Sequence, residues 1–529
     1  MPDGVYCVHM AGVEWSITDV RRMTTPPTQP TAPSIGHSTA RGFVWLAGQG
    51  IGEKVVTLAG QVALARLLSK DDFKLVALTY TVTTFAALFQ QAGIGQVLIQ
   101  RHRRFRLWAT TAFWMSLAIG LAVGLLTAAV APAVAAFYQE PALKGLLWAA
   151  AVTLPLNALI TVPDAKLRGE MRFRFIAVLG MAAIVATMAL SIALAALGFG
   201  PYSFILPPVA VTVVRAGVMW WWARPRVLAR LHLGRWKYLL TDSAMLVVGS
   251  VAMMVTYQGG QVILGRLYPA LAAAGVFYFA WNLSDQSLRL LVNNLSGVLF
   301  PALSTMQDDP ARQRAAFLRS TRVLMLVGLP ICLLQAVVAE PLVRLVFGAK
   351  WVEAAPVMAA LCIGMSARLV QGPSESLMLA RRRYRSLMVL SLVYAAVYVA
   401  VVTAGAVLAG EARAATGAAL GAAVCLVALG PVSLACALGR AAWRDIVSVY
   451  AVPVLVGACA FAPGLALTTL FAPTTAGNIG ALGAVGSVTM ATYGLGAWLL
   501  ARTDVRDVAE RLAGLLRRQR RESSKIPQP

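Results

Sequence analysis

Acidic side chains are scarce in this chain: 22 Asp and Glu stand among 529 residues, and even with 46 Lys and Arg only 13% of positions are charged. A soluble domain carries about 25%, so an ordinary water-soluble globular protein is excluded. Histidine and cysteine are also few, at 4 and 6 residues. They form no CxxC pair, no HExxH string and no Cys/His cluster, which argues against a zinc site or a disulfide framework. Five of the cysteines fall in apolar segments, where they read as small buried side chains. No Walker A string and no GxSxG occurs, so no catalytic constellation is visible.

What is abundant is hydrophobic sequence, 59% of the chain, with a mean hydropathy of +0.71. Apolar stretches of about 20 residues are membrane spans. They are expected at 42–65, 75–99, 107–136, 145–163, 175–198, 203–223, 239–264, 276–301, 323–347, 352–372, 386–409, 414–438, 446–471 and 478–501, about fourteen in all. Residues 1–40, with the string TPPTQPTAPSIGHSTA, have no apolar period and read as a disordered extension. Residues 502–529 place Val505, Val508, Leu512, Leu515 and Leu516 on one face and arginines on the other, the pattern of an amphipathic helix on a membrane surface.

Loop charge orients these spans. With the N-terminus inside, the inner connections 101–106, 164–174, 224–238, 304–322, 381–385 and 439–445 hold 23 Lys and Arg, against 7 in the outer turns. This obeys the positive-inside rule at each crossing. The formal charge of +24 is thus mostly a topology signal and a fit to anionic inner-leaflet lipid, not to nucleic acid.

An internal repeat gives the architecture. GQVALARL at 60–67 returns as GQVILGRL at 260–267, and both copies close the outer end of a span, the first and the seventh. Six spans per unit is an even number, so both halves keep one orientation, with a pseudo-two-fold axis along the membrane normal and a cavity between them. The fold expected is an all-α polytopic membrane protein. Residues 41–223 form a six-helix bundle, 224–238 a cytoplasmic linker, 239–438 a second six-helix bundle, 439–501 two added helices, and 502–529 a basic tail.

The hairpin over 60–106 carries a resemblance. Ser69 suits an N-cap, with Asp71 and Asp72 in the first turn of the helix that follows. The string ALARLLSKDDFKLVAL, followed by GIGQVLIQR, resembles the first hairpin of the Wzx/WzxC-like oligosaccharide flippases of the multidrug/oligosaccharidyl-lipid/polysaccharide (MOP) exporter superfamily. Lys74 stands where that family usually has Gly, and Lys70 where it often has Pro; both read as local changes in an exposed turn. The resemblance implies a MATE/MOP-like fold and a lipid-linked glycan as substrate.

Charges within spans cost at least about 2.5–3.5 kcal/mol each at the bilayer centre, so they face protein or a water-filled cavity. The candidates are Glu53, Lys54, Arg215, Asp285, Arg289, Arg368 and Glu375. Asn282, Asp285, Arg289 and Asn293 fall on one stripe of one helix, and Asp285 and Arg289, four apart, can pair. As cavity-lining groups, Arg289 and Arg368 in one half and Lys54 and Arg215 in the other would meet a pyrophosphate, which suits the guanidinium fork. As structural groups they would only neutralise one another. Trp220, Trp221, Trp222 and Trp236 flank the basic 224–238 connection as an interfacial belt.

The function expected is an inner-membrane flippase moving an undecaprenyl-pyrophosphate-linked oligosaccharide to the periplasmic leaflet by alternating access. It would have both termini cytoplasmic and no cofactor, with H+ or Na+ as the candidate coupling ion. Its partners would be the polyprenyl-pyrophosphate-linked glycan, membrane lipids and polysaccharide polymerase or export machinery, with no nucleic acid. A cation-coupled multidrug exporter or a lipid II flippase shares the architecture. The first would need a cavity dominated by carboxylates, whereas here the four intramembrane cations at least match the three anions; the DF-containing hairpin points away from the second. A membrane-embedded glycan ligase or polymerase would need a large outer loop, and the outer connections are short.

Overall fold

The computed structural model describes residues 35–91, 105–224 and 244–500, apart from 171, 305, 307, 382, 440–442, 469–470 and 472–473. Expectations for the N-terminal extension before residue 35, the basic run 101–104, most of the 224–238 connection with Trp236, and the 502–529 tail lie outside the described residues.

Helices make up the fold. In the first lobe they are α1 (Ile35–Leu67), α2 (Lys70–Gln91), α3 (Phe105–Tyr138), α4 (Ala142–Ala151), α5 (Thr153–Gly169), α6 (Phe173–Ala196) and α7 (Tyr202–Ala223). The second lobe holds α8 (Ala244–Leu267), α9 (Ala273–Ser304), α10 (Pro310–Val337), α11 (Ala339–Phe347), α12 (Ala354–Arg368), α13 (Gln371–Ala380), α14 (Tyr384–Ala409) and α15 (Ala414–Leu438). Two further helices follow, α16 (Trp443–Thr468) and α17 (Thr475–Leu500). Ten segments of the described residues are long and apolar enough to cross a membrane, α4–α5 and α12–α13 each counting as one. The chain is a multi-pass membrane protein.

The packing repeats. In the first lobe α1 lies on α6, α3 on α5, α5 on α7 and α6 on α7; in the second, α8 lies on α14, α10 on α12, α12 on α15 and α14 on α15. The sequence repeat fits this scheme, since α1 ends at Leu67 and α8 at Leu267. The helices α16 and α17 pack on each other and on α10. Where α14 meets α15 the backbones themselves touch: a Cβ on Gly405 would strike Gly417 O, and one on Gly421 would stand 2.6 Å from Val401 O. Small residues permit this approach where no hydrophobic drive favours helix pairing.

Several expected boundaries are corrected. The first helix begins at Ile35, inside the stretch read as a disordered 1–40 extension. The span placed at 323–347 is two elements: α10 starts at Pro310, within the supposed 304–322 loop, and the chain breaks at Val338 before α11. Asp309 caps α10, its carboxylate accepting from the Arg312 amide at 3.0 Å, with Pro310 at the first helical position. Likewise α5 runs on to Gly169, into the supposed 164–174 loop. The N-cap at Ser69 is observed: its hydroxyl accepts from the Asp72 amide at 3.1 Å, and its own amide donates to the Asp72 carboxylate at 2.9 Å.

Candidate functional site

The polar groups of the second lobe gather where α12 gives way to α13. Arg368 occupies the last turn of α12, where the helix dipole favours a cation. Its Nη1 donates to Asp285 Oδ1 of α9 at 3.4 Å, and its Nη2 donates to the Tyr257 hydroxyl of α8. The guanidinium also lies over the Tyr257 ring, 4.5 Å from its centroid. Nearby, Gln371 Nε2 donates to Glu375 Oε1 at 2.8 Å. Glu375 lines a narrow cleft with Gln371, Thr256, Ser391 and Tyr394, and the hydroxyls of Thr256 and Tyr394 are buried without a partner.

Sequence reasoning named Asp285, Arg368 and Glu375 separately, and the structure brings them together inside the second lobe. Of the expected stripe on α9, the side chains of Asn282 and Asp285 are described. Asp285, 2% exposed, turns into its own lobe towards Arg368. Gln286 turns to the first lobe, its Nε2 donating to Gln61 Oε1 of α1 at 2.7 Å. Asn282 Nδ2 donates to Tyr278 O at 2.9 Å. Arg289 and Asn293 lie on α9, but their side chains fall outside the described residues. Glu53 and Lys54 are half-buried on α1. Lys54 lies seven residues, two turns, before Gln61, on the same face. Arg215 is half-buried on α7, with Nε buried and unpartnered; α7 packs mainly on α5 and α6, away from the Asp285 group. Trp220 and Trp222 pack on Phe113 and Phe175, and Trp221 is exposed, in keeping with an interfacial belt.

Sequence reasoning missed the seal between the lobes, which lies at the end carrying the Leu67–Lys70 and Leu267–Ala273 turns. The loop charges assign this end to the outside, and it is called the outer end below. The last carbonyls of a helix have no partner of their own, and here the lobes cap one another. Lys350 Nζ donates to Arg66 O at 3.0 Å and Leu68 O at 2.6 Å, and Trp351 Nε1 donates to Ala65 O at 2.8 Å. In return Arg66 donates to Val346 O at 3.0 Å and Leu345 O at 3.3 Å, at the end of α11. Lys70 pairs with Glu353 at 2.6 Å. Burial lowers the pKa of Lys350, with Asp72 pulling the other way.

Beneath the caps, Phe73 of α2 packs among rings of both lobes: Phe204 at 5.4 Å, Phe279 at 5.9 Å and Trp351 at 4.8 Å between centroids, all edge-on. One layer further in, Tyr80 stacks on Tyr278 with centroids 6.4 Å apart, and the Gln61–Gln286 bridge follows. From the caps to the Gln61–Gln286 bridge, the lobes are thus joined by hydrogen bonds at the outer end.

Known proteins share this fold. Residues 63–356 match the family described as polysaccharide biosynthesis protein. Over 301 residues the chain is 29% identical to the succinoglycan biosynthesis transport protein ExoT of Rhizobium meliloti, covering 57% of this chain and 60% of the relative, less than two thirds of its length. Over 359 residues it is 26% identical to the lipopolysaccharide biosynthesis protein WzxC of Escherichia coli, covering 66% of this chain and 71% of the relative. Among solved structures it resembles the lipid II flippase MurJ in an inward closed conformation. The TM-score is 0.68 and the identity 11%, over 87% of this chain and 100% of that one. It also resembles an inward-facing MATE family transporter of the MOP superfamily, with a TM-score of 0.56 and 14% identity, over 75% and 95% of the two chains. At such identities the likeness to solved structures shows fold alone. The family match covers more than half of the sequence, and with it the hairpin whose turn bears the interlobe caps; this chain belongs to the polysaccharide biosynthesis protein family, on the fold of the MOP superfamily transporters.

Proposed function

We propose that the chain is an inner-membrane flippase, and not an enzyme, that carries a polyprenyl-pyrophosphate-linked oligosaccharide from the cytoplasmic to the periplasmic leaflet. The observation that carries this reading is the seal between the lobes at the outer end. Lobes closed there would open a cleft towards the leaflet in which lipid-linked glycans are assembled. The sugar head enters the cleft while the lipid tail stays in the bilayer. Lys54, two turns inward of Gln61, and Arg289, three residues beyond Gln286 on α9, supply cations for the pyrophosphate. The outer caps then release, and the cleft opens on the other side. Hydrogen bonds of this kind contribute a net 0.5–1.5 kcal/mol or so each, and their carbonyls can turn to water instead, so the seal is reversible.

Both termini are read as cytoplasmic, and no resident cofactor is assigned. Dissipating the proton and the sodium gradients separately distinguishes the two candidate coupling ions. The names of the relatives place them in polysaccharide pathways, which favours a glycan cargo over a drug. The test is deletion in the source organism. Loss of exported polysaccharide with accumulation of lipid-linked repeat units on the cytoplasmic leaflet is expected. Unchanged export together with new drug sensitivity would replace this reading with that of a multidrug exporter.

A further inference from the structure

Lys74, read from the sequence as a local change in an exposed turn, is corrected by the structure: the residue is 5% exposed and sits where the two lobes join. Its ammonium donates to Glu140 Oε1 at 2.5 Å and to Pro269 O at 2.7 Å. Glu140 belongs to the turn between α3 and α4 of the same lobe. Pro269 belongs to the turn between α8 and α9 of the other lobe. A buried cation needs such partners, and loss of one leaves it uncompensated.

The backbone beside it is tighter still. A Cβ on Gly275 would stand 2.5 Å from Lys70 O and 2.7 Å from Lys74 N, so the first turn of α9 rests directly on the first turn of α2. Glycine is the residue that permits this contact. When the outer ends part, Glu140 travels with Lys74, because both belong to the first lobe. Pro269 O departs with the second lobe. The ammonium thus stays paired in both arrangements and exchanges a single bond for water.

We propose that Lys74 is a positioning residue of the transport cycle: it holds the α8–α9 turn against the start of α2, and Gly275 provides the clearance that lets the two lobes close on that side. This rests on the alternating-access reading, but its test needs no substrate. The probe is a single cysteine at position 57 (Thr57→Cys), about one turn inward of Gln61 on α1, in a chain whose 6 native cysteines are replaced by serine or alanine. Its labelling by a membrane-impermeant maleimide is followed from outside in spheroplasts and from inside in inverted vesicles.

The parent is expected to label from inside and only slowly from outside. Lys74→Met and Gly275→Ala should each raise the outside rate at least ~10-fold, the scale of one lost charged hydrogen bond, and Lys74→Arg should keep it low. Labelling from inside confirms that each variant is folded. Where Lys74→Met yields no protein, Lys74→Gln takes its place. An outside rate unchanged in the Lys74 variants, with or without opening in Gly275→Ala, overturns the role of Lys74. Labelling that behaves as expected in a chain that moves no glycan would leave Lys74 in place and defeat only the flippase reading.

Discussion

Arg368 and Asp285 meet across the interior of the second lobe, Nη1 to Oδ1 at 3.4 Å, with side chains 8% and 2% exposed. Neither charge has bulk water to turn to. Arg368→Ala should therefore lower stability by about 3–5 kcal/mol, the scale of removing one partner from a buried ion pair. The pair Asp285→Asn with Arg368→Gln should recover most of that loss. Thermal unfolding in detergent checks both, and a double variant that melts as low as the single would detach the effect from the pair.

Arg289→Ala should behave differently. If Arg289 serves the pyrophosphate and Arg368 serves the fold, export falls to background while the melting temperature stays within about 2 °C of the parent, the scale of a surface change. Arg289→Lys should keep part of the activity, since an ammonium offers charge without the bidentate fork. A large melting shift in Arg289→Ala would make it a structural residue instead.

Gly417→Ala tests the contact between α14 and α15. The added methyl would strike Gly405 O and the Ala409 side chain, and such overpacking typically costs about 1–3 kcal/mol. Gly483→Ala on α17, which would meet nothing within 4 Å, is the matched control and should melt like the parent.

The orientation of the bundle is open to direct measurement. Reporter fusions at Arg230 and Arg383 should signal the cytoplasm, and fusions at Asp71 and Glu411 the periplasm. A periplasmic signal at Arg383 would turn the seal to the opposite face of the membrane.

The two-lobed plan was legible because the repeat at 60–67 and 260–267 marks the same helix end twice, and because basic residues report the side of each loop. The start of α10 was not legible. Asp309 and Pro310 form a helix start, but Arg312, Arg314, Arg319 and Arg322 make its first turns as hydrophilic as a loop, and hydropathy cannot separate the two. The charges Asp285, Arg368 and Glu375 stood out because polar residues are costly within spans. Their pairing did not, because Asp285 and Arg368 are 83 positions apart and only packing brings them together. Lys74 was misread for a related reason: beside Ser69 and two aspartates it looks like turn sequence, and its burial comes from Pro269 and Gly275 of the other lobe.

The interlobe caps also set an order of manufacture. Ala65 O and Arg66 O wait for donors 286 and 284 positions further along the chain. At about 5–20 residues per second of synthesis, the interval is roughly 15–60 s. Through that time the first lobe stands in the membrane with the outer end of α1 met only by water. A nascent chain halted before Lys350 is thus an edge without a counterpart, and its exposed carbonyls and the face of Phe73 that awaits Trp351 are the surfaces a membrane chaperone would find on it.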